Sequence, residues 1–311
     1  MKNYFKFNLT GGKLLPVWLL TLVFIIAPFV AIIFKAKEIE PDDPSGLIFI
    51  IPAIFFIYAF ALLLTFYITK LIIEGIEYKE KPFAFNGDIL KFIGIFLLGL
   101  LLCIITIGIY MPWFIRKIQK FFIDNSSYEA YPLEFKGKGG ELFVIILVTY
   151  LIPIAFIALL STIFTLFNHM HQSPVASGII QVISMFVMIP YTYFVYKWMV
   201  NVKYKSYTIA WQTDAWDSFG TILIQYILTV ITIGIYYPLA MLKLYKYFAE
   251  KTIATGDTGS KKFGYDLEAG SDFLFLWGQV LLIIVTLGIY FPWAFCKISE
   301  RVIGKTFTEE F

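Results

Sequence analysis

Six stretches of this chain carry no aspartate, glutamate, lysine or arginine: Leu14 to Phe34, Pro44 to Thr69, Phe92 to Ile115, Leu142 to Tyr196, Ser218 to Leu242 and Phe273 to Cys296. Five run for 21 to 26 residues, and the longest holds two such lengths around the polar tip NHMHQSPVAS. A helix needs about 20 apolar residues to cross about 30 Å of hydrocarbon. The expected fold is therefore all-α: a multi-pass helical membrane protein with about seven apolar segments, forming a single membrane domain over residues 1–311. Composition agrees, at 59% hydrophobic and 15% charged residues, against about 45–50% and 25% in soluble domains. Folded as a soluble globule, the chain would have too little polar sequence to cover these runs.

The first run follows a basic flank but is longer than the 7–15 residues of a signal peptide's core, so it reads as a retained span. Cys103 and Cys296 lie in or beside apolar runs and imply no disulfide framework. The net charge of +3 is modest. Lysines near span ends suit anionic headgroups, so membrane lipids are the expected partner and nucleic acid is not needed.

One phrase occurs three times at the end of an apolar run: TIGIYMPW at 106–113, TIGIYYPL at 232–239 and TLGIYFPW at 286–293. The match extends without gaps to an acid 18 residues before each threonine (Asp88, Asp214, Glu268) and a lysine 11 after (Lys117, Lys243, Lys297). Further upstream come paired apolar residues two apart: Phe83 and Phe85, Ile209 and Trp211, Phe263 and Tyr265. Such alternation suggests a short extended segment with one apolar face. A related opening, with Phe7 and Phe135 each four residues before Gly-Gly, begins two longer units. The chain thus divides into repeat units at 5–80 (long), 83–130 (short), 133–205 (long), 209–255 (short) and 263–311 (short).

Each phrase reads as an interfacial elbow made of Thr106, Gly108, Tyr110 and Pro112, with Thr232, Gly234, Tyr236, Pro238 and Thr286, Gly288, Tyr290, Pro292 as its other copies. Glycine tolerates the helix exit and proline starts the next helix. The acid caps the preceding helix. The following helix is amphipathic and basic, suited to lying along the membrane surface, with Arg116, Lys117, Lys120, Lys243, Lys246 and Lys297 as candidate lipid-headgroup contacts.

These phrases, with FAFNGD, IAWQTD and FGYDLE before them and a basic aromatic helix after, resemble the YjgN family of bacterial inner-membrane proteins, also called domain of unknown function 898. The resemblance runs from about residue 5 to 311. It implies a multi-pass protein of the bacterial inner (cytoplasmic) membrane without an established activity, and it supplies no catalytic residues. Leu239 departs from the pattern, standing where the other elbows have Trp113 and Trp293.

Topology sets two rules against each other. If all seven segments cross, the 25 lysines and arginines divide 13 to 12 between the two sides. If the elbow segments dip and return, the division becomes 23 to 2, with Lys35 and Lys37 opposite, as the positive-inside rule prefers. A re-entrant turn leaves backbone groups unpaired at membrane depth, at several kcal/mol each. That backbone argument favours crossing.

Gln225 and Gln279 occupy equivalent mid-run positions and are the candidate intramembrane polar residues, as a path lining or as interhelical glue. His169, Met170 and His171 form a weak metal pattern in a loop, and the glycine-rich 136–140 and 256–260 match no phosphate-binding fingerprint. No nucleophile with a base, acid–base pair or metal set lies within a span, so no enzyme activity, cofactor or metal site is expected. What remains is a transporter or permeation pathway for a small or amphipathic solute, or a non-catalytic scaffold that binds lipid. No protein partner is specified, and a homo-oligomer is compatible with the sequence.

Overall fold

The computed structural model describes residues 1–36, 47–168, 174–257 and 259–310. Its organising element is a β-barrel. Ten short strands pair antiparallel with their sequence neighbours: β1 Asn3–Phe7, β2 Ile76–Tyr78, β3 Lys81–Phe85, β4 Ser126–Tyr128, β5 Tyr131–Phe135, β6 Asn201–Tyr204, β7 Tyr207–Trp211, β8 Thr252–Gly256, β9 Gly259–Tyr265 and β10 Thr306–Glu310. The sheet closes because β1 pairs with β10 as well as β2, Tyr4 facing Phe307 and Phe5 facing Tyr78.

The period-two pattern sorts the two faces. Lys6, Ala84, Glu134 and Lys203 are exposed outside, while Phe5, Tyr78, Phe83, Tyr128, Leu133, Tyr204, Ile209 and Phe263 face the lumen and are at least half-buried. Rings from strands two apart meet across the concave side. Tyr78 and Tyr128 lie 5.7 Å apart, and Tyr128 and Tyr204 lie 5.8 Å apart. At one end the strands join through two-residue turns. Lys79 and Glu80 (φ 47° and 62°) and Glu129 and Ala130 (φ 51° and 63°) adopt the left-handed pair that a twisted hairpin demands.

At the other end each strand pair is bridged by two helices. These are α1 Gly11–Ala36 and α2 Leu47–Gly75, α3 Ile89–Ile105 and α4 Met111–Asp124, α5 (139–168) and α6 Pro174–Met199, α7 Ala215–Ile231 and α8 Tyr237–Glu250, and α9 Ala269–Val285 and α10 Phe291–Gly304. The first helix of every pair starts four residues after a buried rim aromatic: Phe7, Phe85, Phe135, Trp211 or Tyr265. Each aromatic seats its own apolar cluster, so five small cores replace one large core. The helices pack in chain order, and α10 against α1 closes the ring. Trp113 and Trp293 fill the space where a Cβ on Gly139 or Gly11 would stand, within 2.5 and 2.6 Å of their rings. The unit following Leu239 has Ala269 in place of that glycine, which accounts for the missing tryptophan.

Two expectations are overturned. The fold is not all-α, because the extended segments are strands of a closed barrel. Nor are there about seven spans: among the described residues three helices are long and apolar enough to cross a membrane, Gly11–Ala36, Ile50–Gly75 and Gly139–Ile163. The elbow segments go out and come back. Phe83 faces Tyr128 across β3 and β4, and the Asn86 N–H donates to the Asn125 carbonyl at 2.9 Å. A straight crossing between these residues is excluded, and the basic helix returns to the barrel rim instead of lying along a membrane surface.

Candidate functional site

The elbow tips resolve the backbone objection to a returning segment. In the first copy the N–H groups of Thr106, Ile107, Gly108, Ile109 and Met111 donate to the carbonyls of Leu102, Ile104, Cys103, Thr106 and Gly108. The N–H of Tyr110 donates to the Thr106 hydroxyl at 3.0 Å, and that hydroxyl donates to the Leu102 carbonyl. Pro112 has no N–H. Thr232 and Thr286 make the same side-chain link to Tyr236 and Tyr290. Gly108, Gly234 and Gly288 hold φ near 83°, 83° and 88°. Ile107, Ile233 and Leu287 before them are also left-handed (φ 50°, 52° and 49°), costing about 1–2 kcal/mol each.

Below each tip lies a seam between the two helices. Tyr236 donates its hydroxyl to Gln225 Oε1 at 3.0 Å, and Tyr290 donates to Gln279 Oε1 at 3.2 Å. Both glutamines are buried and anchor the tip tyrosine. The equivalent residue in the first copy is Gly99, whose missing side chain makes room for the Phe114 ring. The lysines seven residues beyond the tyrosines turn back toward them. Lys117, Lys243 and Lys297 hold their Nζ 5.6, 5.4 and 5.6 Å from the ring centres of Tyr110, Tyr236 and Tyr290. Lys297 also donates to the Tyr290 hydroxyl at 3.0 Å. Beside Lys117 a cavity of about 460 Å³ has an apolar wall of Ile95, Leu98 and Phe121 and opens onto Lys120, Asp124 and Asn125.

The remaining basic candidates are tied into the protein. Arg116 Nε donates to the Gly137 carbonyl at 3.2 Å, Lys120 pairs with Asp124, and Lys246 lies 3.7 Å from Glu250. The caps are as read for Asp88 and Asp214, which accept from Lys91 and Trp216. Glu268 makes no side-chain cap, and its N–H donates to Asp272 Oδ2 at 2.9 Å. His169, Met170 and His171 lie outside the described residues. No group of three metal-binding side chains occurs among those described.

Sequence reasoning missed the most strongly polar seam. Asp272, 1% exposed, receives Arg301 Nε at 2.6 Å and Lys305 Nζ at 2.7 Å. At the equivalent positions the same buried contact is Phe92 with Phe121 in the first copy and Ser218 with Tyr247 in the second.

Inside the barrel the Tyr128 hydroxyl donates to the Tyr78 carbonyl at 2.8 Å and Tyr204 donates to that of Tyr128 at 3.2 Å. Burial pushes the Tyr128 phenol up to about 12. At the turn end Glu129 receives Lys81 at 2.7 Å and Lys205 at 2.9 Å, and hydrogen bonds from these two ammoniums hold its carboxyl down at about 2.

A family model described as "Bacterial protein of unknown function (DUF898)" matches residues 2–269. The chain is 30% identical over 89 residues to Inner membrane protein YjgN of Salmonella typhimurium, covering 29% of this chain and 22% of that one. It is 29% identical over 73 residues to Inner membrane protein YjgN of Escherichia coli, covering 24% and 18%. The aligned stretches thus span about a fifth of each curated relative. No solved structure matches.

Proposed function

The chain belongs to the DUF898 family of bacterial proteins of unknown function, and from that premise we propose that it is a multi-pass inner-membrane protein with a pathway for small or amphipathic anions. One observation carries the reading: three equivalent lysines hold their Nζ against the tyrosines at the hairpin tips, 5.4 to 5.6 Å from the ring centres. With returning hairpins, the barrel turns and the helix ends beside them carry most of the basic residues, which the positive-inside rule makes the cytoplasmic side. Lys117, Lys243 and Lys297 stand about 10 Å above the barrel rim, counted along their helices at 1.5 Å per residue. A lysine facing lipid there snorkels down to the headgroups. These three reach toward the tip-side tyrosines instead. That posture suits lysines that line a polar path beside the tip tyrosines. Every hairpin rises from two neighbouring strands, so the helix ring stands on the rim of the barrel. The aromatic lumen then forms the cytoplasmic end, with Glu129, Lys205 and Lys261 near its mouth.

Efflux of a panel of small anions, matched cations and neutral solutes from proteoliposomes tests the reading. Wild-type protein is expected to release anions faster than protein-free vesicles do. Exchanging Lys117, Lys243 and Lys297 together for glutamine is expected to cut that rate at least tenfold. Absence of efflux for every solute overturns the pathway and leaves a closed scaffold, in which the tyrosine contacts across the lumen are structural.

A further inference from the structure

We infer that the three short hairpins end inside the bilayer, so that their tips contact the acyl chains of the far leaflet and never reach the water beyond it. This rests on membrane embedding alone, and the tips keep their place whether or not a solute passes.

All five first helices start at one level, four residues beyond the rim aromatics, so their lengths compare directly. The long rod Gly11–Ala36 has 26 residues, whereas α3, α7 and α9 have 17 each. At 1.5 Å per residue these reach about 39 Å and about 26 Å. A 30 Å hydrocarbon core centred on the long rods leaves about 4–5 Å of rod outside at each end. The short tips then stop about 8 Å below the far edge of the hydrocarbon.

Their chemistry matches that depth. Ile107, Ile233 and Leu287 at the apices are 93%, 92% and 90% exposed, higher than any other described large apolar residue except Met1. Ile105, Ile231 and Val285 on one flank and Ile109, Ile235 and Ile289 on the other extend each apolar cap. No charged residue lies between Phe92 and Ile115, Ser218 and Leu242, or Phe273 and Cys296. A turn in water has no need to satisfy every N–H internally, but one in oil does. In the first copy each N–H from Thr106 to Phe114 has a partner within the hairpin, and tyrosine N–H groups that helical bonding leaves free are taken by the threonines. A docked protein is a poorer occupant, because three tips spaced around a ring present no continuous face to one partner.

The test uses full-length protein in nanodiscs. Single cysteines replace Ile107, Ile233 or Leu287, with Cys103 and Cys296, both buried, as the blank. Each is labelled with an environment-sensitive dye and quenched by lipids brominated at defined acyl depths. Strongest quenching by bromines in the deeper half of the chain is expected, with no reaction toward a membrane-impermeant maleimide from either face of sealed vesicles. A cysteine at Ser206, on a barrel turn, reacts from one face and reports on folding. Should an apex variant fail to fold, Ile109→Cys, Ile235→Cys and Ile289→Cys give the same readout. Impermeant reagent reaching any tip, or strongest quenching at headgroup level, overturns the inference. The efflux assay is read independently, so the two outcomes do not mask each other.

Discussion

The first and third short hairpins share a backbone and differ in almost everything packed inside it. In the first, Phe92 meets Phe121 at 5.3 Å and the Phe114 ring occupies the space over Gly99. In the third, the equivalent positions hold Asp272 against Arg301 and Gln279 opposite Ala294. The second lies between, with Ser218 bonded to Tyr247 and Gln225 opposite Ala240. The elbow conformation is the same in all three, so neither the turn nor the hairpin depends on a polar seam. A buried ion pair is weak evidence for stability, since its desolvation offsets its attraction. What the contrast teaches is that the elbow phrase and the barrel strands specify the fold, while the seam is free to vary in chemistry.

Interchangeability is the claim most open to attack, and the largest effect lies in the third hairpin. Asp272→Ala removes the buried carboxylate that Arg301 and Lys305 share, leaving Arg301 with the Phe275 ring and Ser271 and Lys305 with Glu268, and a loss of about 3 kcal/mol is expected. Thermal unfolding in detergent measures it. Installing the first hairpin's solution with Asp272→Phe and Arg301→Phe together is expected to restore stability to wild type or above, while Lys305 keeps Glu268 at 3.3 Å. A double variant as unstable as the single one breaks the comparison, because the ion cluster would then be required by its surroundings.

The converse experiment sharpens it at smaller cost. A Cβ on Gly99 would stand 2.1 Å from Phe114 Cδ2, so Gly99→Ala overpacks the first seam by about 1–3 kcal/mol. Phe114→Ala in the same chain relieves the clash, and Gly99→Gln with Phe114→Ala rebuilds the third hairpin's arrangement, its new amide accepting from Tyr110. Smaller again is Gln279→Leu, which removes the acceptor of the Tyr290 hydroxyl and costs about 1 kcal/mol. The same change at Gln225 is expected to match it. Unequal losses would show that the two glutamines are not equivalent.

The helices, the elbow and the caps were legible because their causes are local. Glycine with φ near 83°, the capping threonine and the acids before α3 and α7 act within a few residues of themselves. The barrel was hidden because its strands are three to seven residues long and its closure joins Tyr4 to Phe307 across the length of the chain. The pairs Phe83 and Phe85 or Phe263 and Tyr265 signalled extension, but the returning strand Ser126–Tyr128 is only three residues long and carries no such alternation of large apolar residues. The direction of the elbow segments was misread for a definable reason. Backbone satisfaction disfavours a re-entrant turn whose N–H groups lack partners, whereas the turn at the repeated phrase has its N–H groups already paired. The Asp272 cluster stayed invisible because Asp272 borders its apolar run, and its partners lie 29 and 33 residues away.

Acid distinguishes the buried carboxylate of the third hairpin, Asp272, from the exposed Glu129 that closes the first short unit. Glu129, on the turn after β4, is held at about 2 by Lys205 and Lys81, below an ordinary value of 4.5. A carboxyl whose pKa falls on folding contributes stability above its unfolded pKa and loses it as pH drops through the folded one. The Glu129 contribution is therefore complete at neutral pH and lost between about pH 4.5 and 2. Glu129→Gln is expected to lower the melting temperature slightly at pH 7, and the gap from wild type should close by pH 2. The effect is small because water and salt screen an exposed pair, so the gap also narrows in 1 M salt. The deficit of Asp272→Ala, by contrast, narrows less in salt, since Asp272 itself is buried although Arg301 and Lys305 are partly exposed. An equally salt-sensitive Asp272→Ala would place water in that seam and remove the distinction between the two hairpins.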